Sequence, residues 1–167
     1  MFGKFTAKQV KKAFGKSNRI FISKCGNYIS NGYLVFHTLT INKKDEWIYK
    51  EIEMAKGFFK VEVIIYPIER FNFKDSIVTY EKTPIVINSD SNLYIRMYKT
   101  TTNQVYNYIF INEEYINLLD DSSLLYGQGE NNLLYDGNRY DNSTVMVMPC
   151  KVDEQLCKDY IKGYDKS

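Results

Sequence analysis

Asn31-Gly32 is the strongest hairpin signal in the chain, because both residues accept the backbone of a tight two-residue turn. It separates Asn27-Tyr28-Ile29-Ser30 from Tyr33-Leu34-Val35-Phe36-His37-Thr38-Leu39-Thr40-Ile41. Both runs are rich in β-branched and aromatic residues, so the chain is committed to antiparallel sheet near its start. Further short runs of the same kind predict strands at 19–23, 58–66, 76–80, 84–87, 93–98, 104–110, 124–126, 132–135 and 143–148. Residues 93–98 and 104–110 flank a Thr/Asn turn and read as a second hairpin.

Helices interrupt this pattern. Thr6 is a candidate N-cap with Gln9 three residues on, the spacing of a capping box. Val10, Ala13 and Phe14 then fall on one apolar stripe, and Gly15 can end the helix. A second helix is expected over 45–57, with Trp47, Ile48, Ile52 and Ala55 near one face and Gly57 as its cap. A third is expected over 112–119, capped by Asn112, with Glu113 and Glu114 at its positive end. Residues 153–167 read as a charged C-terminal tail, helical up to Gly163. The expected class is α+β: one domain over 1–152, two short helices packed on curved antiparallel sheets, and a tail. A helix followed by strands occurs at 6–41 and again at 112–148, a faint two-fold echo.

At 167 residues the chain is long enough for one domain with a real core. Its 16% aromatic content argues against disorder, and no run of about 18 apolar residues offers a membrane span. The start, Met1-Phe2-Gly3-Lys4-Phe5, lacks an apolar leader. Cys25, Cys150 and Cys157 are odd in number and lack metal-ligand spacing, which points to reduced thiols and a cytoplasmic setting.

The net charge of +2 hides a strong asymmetry. Residues 1–44 carry nine basic residues and no acid, leaving 13 basic against 20 acidic in the remainder. Such a basic segment suits an anionic partner, and equally a solvated helix face. The candidate DNA contacts are Lys8, Lys11, Lys12 and Lys16, with Arg19 beyond them. Lysines at this spacing meet phosphates without reading bases.

A search for catalytic chemistry finds little. Gly127-Gln128-Gly129 lacks the following Lys-Ser/Thr of a phosphate loop and reads as a turn. Asp120-Asp121 and Glu113-Glu114 are adjacent pairs, which do not converge on a helix. His37 stands between Val35 and Leu39 of its own strand face and reads as a packed histidine. Cys25 reads either as a thiol activated by Lys24 or as an idle one. No catalytic residue, metal site or cofactor is therefore expected.

The C-terminal third carries a resemblance. Tyr108-Ile109-Phe110-Ile111-Asn112, then Tyr115-Ile116-Asn117-Leu118-Leu119, then hairpin strands, then Val145-Met146-Val147-Met148-Pro149-Cys150-Lys151-Val152 resembles the last domain of bacterial sliding DNA clamps. Those domains are similar in running from a strand to a Tyr/Leu helix, to three strands, to a closing Val-Met-Pro segment. The N-terminal helix and the hairpin at Asn31-Gly32 are similar to the clamp's first half. The resemblance implies a non-catalytic protein of DNA replication or other DNA transactions, with its helices toward DNA. It also implies a partner-binding patch at Met148, Pro149 and Lys151. A clamp carries three such domains per chain, and the length here allows one. Residue usage rich in Ile, Asn, Lys and Tyr suits an AT-rich coding sequence, hence a phage or mobile-element origin. The expected partners are DNA, or a host or phage protein, or a second copy of the chain, with no membrane. The alternative is a small phage inhibitor that binds a host defence or replication protein.

Overall fold

The computed structural model describes residues 3–67, 78–88, 93–100, 108–127, 133–137, 145–152 and 154–166. Among these the fold is α+β, with five α-helices on two curled, mostly antiparallel sheets. The expected strand segments at 76–77, 104–107, 132 and 143–144 lie outside the described residues. So do the Thr/Asn turn and most of the turn at Gly127-Gln128-Gly129.

Strands β1 (Arg19–Ser23), β2 (Tyr28–Ser30) and β3 (Leu34–His37) form the expected antiparallel meander, with Ile22 opposite Ile29 and Ile29 opposite Phe36. The β2–β3 connection is not the expected two-residue turn at Asn31-Gly32: Ser30 lies opposite Val35, and of the two turn residues only Gly32 has a positive φ. Asn31 Oδ1 accepts instead from the Tyr33 and Leu34 amides, a side-chain turn that moves the bend one residue on. β3 ends four residues short of the predicted Ile41, because Thr38–Thr40 coil into a 3₁₀ turn. His37 Nδ1 accepts from the Leu39 amide (3.1 Å), and the Thr40 hydroxyl donates to the His37 carbonyl (2.7 Å). These local bonds compete with the ladder and close the strand.

On the far side of β1 lies β4 (Glu62–Tyr66), and this pair is parallel. A parallel pair needs a crossover, which α2 (Trp47–Lys50) and α3 (Ile52–Phe59) supply. The single helix predicted over 45–57 is therefore two, parted at Glu51, where the backbone is extended (φ −119°, ψ 99°). α3 also runs through Gly57, the predicted cap, and stops at Lys60, whose φ of 57° is left-handed. The reason is packing. Phe59 meets Phe14, and Phe58 meets Trp47 edge-on at 5.0 Å, so two residues expected in a strand are held in the helix.

The second sheet orders β7 (Tyr108–Asn112), β6 (Tyr94–Thr100), β5 (Val78–Asn88) and β8 (Leu124–Gly127). The β6–β7 pair is the expected hairpin partner set, antiparallel with Met97 opposite Phe110. The two short strands expected around Pro84 are one bulged strand, β5, whose register shifts between Lys82 and Val86. Proline cannot donate to a ladder. The Thr83 hydroxyl fills the gap by donating to the Met97 carbonyl at 2.7 Å.

β9 (Val145–Val147) closes the first sheet against β3. Leu134 exchanges backbone hydrogen bonds with Val147, and Tyr135 with Tyr126 of β8, so this short segment stitches the two sheets together. The central order becomes β1-β2-β3-β9-(134–135)-β8. It has a two-fold pattern: α1 (Ala7–Phe14) precedes one three-strand meander, α4 (Glu113–Ile116) precedes the other, and their last strands pair antiparallel.

One main core lies between the sheets and the helices, holding Val10, Phe14, Phe36, Ile48, Tyr98, Ile111, Ile116 and Val147, with Leu118 packed at its margin. Met146, on the other face of β9, joins Val35 and Tyr135 in a smaller cluster. The stretch expected as a tail forms α5 (Glu154–Lys166), running through Gly163. Cys157 of α5 is buried with Ile87, Ile95, Met97 and Phe110, and Ile161 and Tyr164 pack beside it. No helix among the described residues is long and apolar enough to cross a membrane.

Candidate binding surface

The expected capping box forms at the start of α1. The Thr6 side chain accepts from the Gln9 amide (3.2 Å), and the Gln9 side chain accepts from the Thr6 amide (2.8 Å). Asp45 accepts from the Ala7 amide at 2.9 Å, placing an anion at the positive end of the helix. Ala7, Val10 and Phe14 are buried, and Phe14 meets Phe36 edge-on at 5.5 Å. That rotation is fixed by the core, so Lys8, Lys11 and Lys12 are left on the solvent side, with Lys16 just past Gly15.

These lysines differ in what they do. Lys11 donates to the Phe58 carbonyl (2.8 Å) and lies over the Phe58 ring, which ties α1 to the end of α3. Lys8, Lys12 and Lys16 are exposed and form no ion pair among the described residues. Arg19 pairs with Glu62 across the β1–β4 ladder at 3.4 Å, so its charge is offset locally, though the pair is exposed and weak. Lys4 bridges to Asp120 (3.1 Å) and donates to the Leu118 carbonyl, joining the N-terminal segment to the turn after α4.

α4 lies beside α1. Its expected cap is present, with Asn112 Oδ1 accepting from the Glu114 amide at 3.0 Å. The helix is shorter than the predicted 112–119 and continues as tighter turns, Leu118 to Tyr115 and Leu119 to Ile116. Glu113 and Glu114 have separate roles. Glu113 takes a bidentate pair from Arg96, at 2.6 and 3.1 Å, which holds its carboxyl below the usual glutamate range. Glu114 is exposed. Between the two helices runs a groove of about 360 Å³, lined by Phe5, Lys12 and Ala13 on one side and by Tyr115, Asn117 and Leu118 on the other. The halves of this groove are about a hundred residues apart in sequence. Nothing in either segment alone marks Tyr115 or Asn117 as facing α1.

The three residues of the expected partner patch are not equivalent. Met148 is half-buried, its amide bonded to the Tyr33 carbonyl at 2.8 Å. Pro149 is buried and Lys151 exposed, and both line a cavity of about 520 Å³ whose other wall is α5. Cys150 lies in the same wall, its amide bonded to the Phe110 carbonyl, and burial pushes its thiol up. The α5 stripe of Cys157, Ile161 and Tyr164 has helical spacing, a signal present in the sequence but diluted by the charges between.

The remaining reactive side chains have structural surroundings. His37 is buried, accepts from the Leu39 amide and meets the Tyr28 ring edge-on at 5.1 Å. Cys25 is exposed, with its sulfur 3.5 Å from the Ser23 hydroxyl. Among the described residues no three His, Cys, Asp or Glu side chains gather as metal ligands would. Comparisons of the chain with protein-family models, curated proteins and solved structures find no match.

Proposed function

We propose that this is a non-catalytic, clamp-like binding protein that contacts DNA through the lysine face of α1 and serves replication or another DNA transaction. The observation that carries this reading is the trio Lys8, Lys12 and Lys16. Each is exposed and none is ion-paired among the described residues; Lys8 and Lys12 stand on α1, whose opposite face is sealed into the core, and Lys16 follows its Gly15 cap. Three ammonium groups held this way meet phosphates without reading bases. The two-fold order of helix and meander supports the clamp resemblance, as does the placing of α1 and α4 on either side of one groove. The acids of α4 restrict the phosphate path to the α1 side.

The test is a salt titration of DNA binding. Log affinity should fall with log salt at a slope of about −3, for three phosphates neutralised. The triple change Lys8→Gln, Lys12→Gln, Lys16→Gln should abolish binding and leave the thermal melt unchanged. Lys11 is kept, because it anchors α3. Binding that is insensitive to salt, or that survives the triple change, would falsify the reading.

A second reading, an inhibitor that binds a host protein, draws on another observation. Ile65 and Tyr66 stand exposed on β4, the last strand in its sheet's order among the described residues. A mixing experiment by light scattering with replication or defence proteins separates the two, since only the inhibitor reading requires a stable complex without DNA.

A further inference from the structure

The groove between α1 and α4 has a polarity that the lysine face alone lacks. Lys12 belongs to both, standing on the exposed cationic face and on the groove wall. Across from it are Tyr115, Asn117 and the exposed carboxylate of Glu114. Phe5, Ala13 and Leu118 supply apolar lining. The groove thus offers a cation on one side, an amide and the aromatic Tyr115, partly packed on the main core, on the other, and an apolar surface between.

We propose that this groove holds an unpaired nucleobase, so that the favoured ligand is single-stranded nucleic acid; the inference rests on the DNA-binding reading above and names its substrate class. The phosphates run along Lys8 and Lys12 of α1 toward Lys16 beyond its cap, and a base turns into the groove to stack on Tyr115. Asn117 offers both a donor and an acceptor to its edge. Single strands are held by this pairing of a basic track with an aromatic platform. Duplex DNA keeps its bases in the stack, and its second phosphate row would approach Glu114. The carboxylate therefore works against the duplex while leaving a single strand, whose phosphates stay on the α1 side, undisturbed.

The experiment is fluorescence anisotropy of the full chain with a labelled oligothymidine of about 12 nucleotides, a length within the usual range for one such site. A blunt duplex of the same length serves as comparison. The single strand should bind tighter. Tyr115→Ala should weaken it about tenfold, the loss expected for one stacked base, and leave duplex affinity unchanged. Tyr115→Phe should retain the wild-type value. Glu114→Gln should raise duplex affinity and narrow the preference. Because Tyr115 is half-buried, a second measurement uses the unmodified protein: an oligonucleotide carrying a photoreactive uracil should crosslink to the peptide holding Tyr115. Equal affinity for the two forms, an unchanged single-strand affinity in a folded Tyr115→Ala, or crosslinks confined to other peptides would each overturn the groove. Competition by polyglutamate as strong as that by the oligonucleotide would overturn it too, by showing that charge alone suffices. Failure to bind either form would bring down the DNA reading itself.

Discussion

Val10 is fully buried in the main core, on the face of α1 opposite its lysines. Val10→Asp would set a carboxylate there without a partner and should cost about 3 kcal/mol, read as a large drop in the denaturation midpoint. Glu113 shows the opposite case, a charge that is well matched. Arg96 grips it with two hydrogen bonds and holds its pKa below the unfolded value. A depressed acid pKa stabilises the fold above the unfolded pKa, and that stability is lost as pH falls through the folded value. Glu113→Gln should therefore be less stable than the parent at neutral pH, with the difference closing in acid. Urea melts at a series of pH values check this, and a gap that is constant across the series would show that the pair is not the cause. Neither Arg96 nor Glu113 is adjacent in sequence, so their pairing was not legible there. The burial of Val10 was, because helical spacing alone put it with Ala13 and Phe14.

At the scale of elements, α1 was legible because its signals are local. The cap, the box and the stripe lie within nine residues, and all three recur in the structure. Thr6→Ala should cost about 1 kcal/mol by removing the N-cap acceptor, a change that a thermal melt resolves. The helix at 45–57 was less legible. Gly57 is a sound local stop signal, but Phe58 and Phe59 gain more from packing on Trp47 and Phe14 than from starting a strand. β5 misled in the same direction. Pro84 reads as a break, yet the strand continues through it as a bulge because Thr83 replaces the missing ladder donor. The closing strand β9 could be placed only up to its face. Alternation required one side in, and the structure puts Val147 in the main core with Leu118, and Met146 outside it.

For the whole molecule, α5 is the least anticipated part. Its charges suggested a tail, yet Cys157, Ile161 and Tyr164 cover the outer face of β5, β6 and β7. A chain ending at Val152 should lose about 3 kcal/mol from the apolar area this re-exposes and should aggregate on gel filtration. The thiols report the same packing. Cys25 should react quickly with a thiol reagent, while Cys150 and Cys157 should react slowly, since one is half-buried with a raised pKa and the other is buried. Rapid modification of all three in the intact chain would show that α5 does not seal its cluster.

What the residues determined by themselves is whatever depends on neighbours a few positions away. That includes the α+β class, the presence of a hairpin after Ser30 but not its exact turn, the start and rotation of α1, and hence the solvent side of its lysines. It also includes the unequal charge of the first 44 residues and the remainder. Tertiary structure alone decided which lysines stay unengaged: Lys11 finds the end of α3, Arg19 finds Glu62, and Lys8, Lys12 and Lys16 find no ionic partner among the described residues. It alone set α4 against α1 to make a groove, and set α5 as the facing wall of the cavity that Pro149 and Lys151 line. The physical reason is range. Caps, turns and stripes act within about one or two helical turns, whereas these contacts are chosen by which apolar faces the whole chain can bury at once.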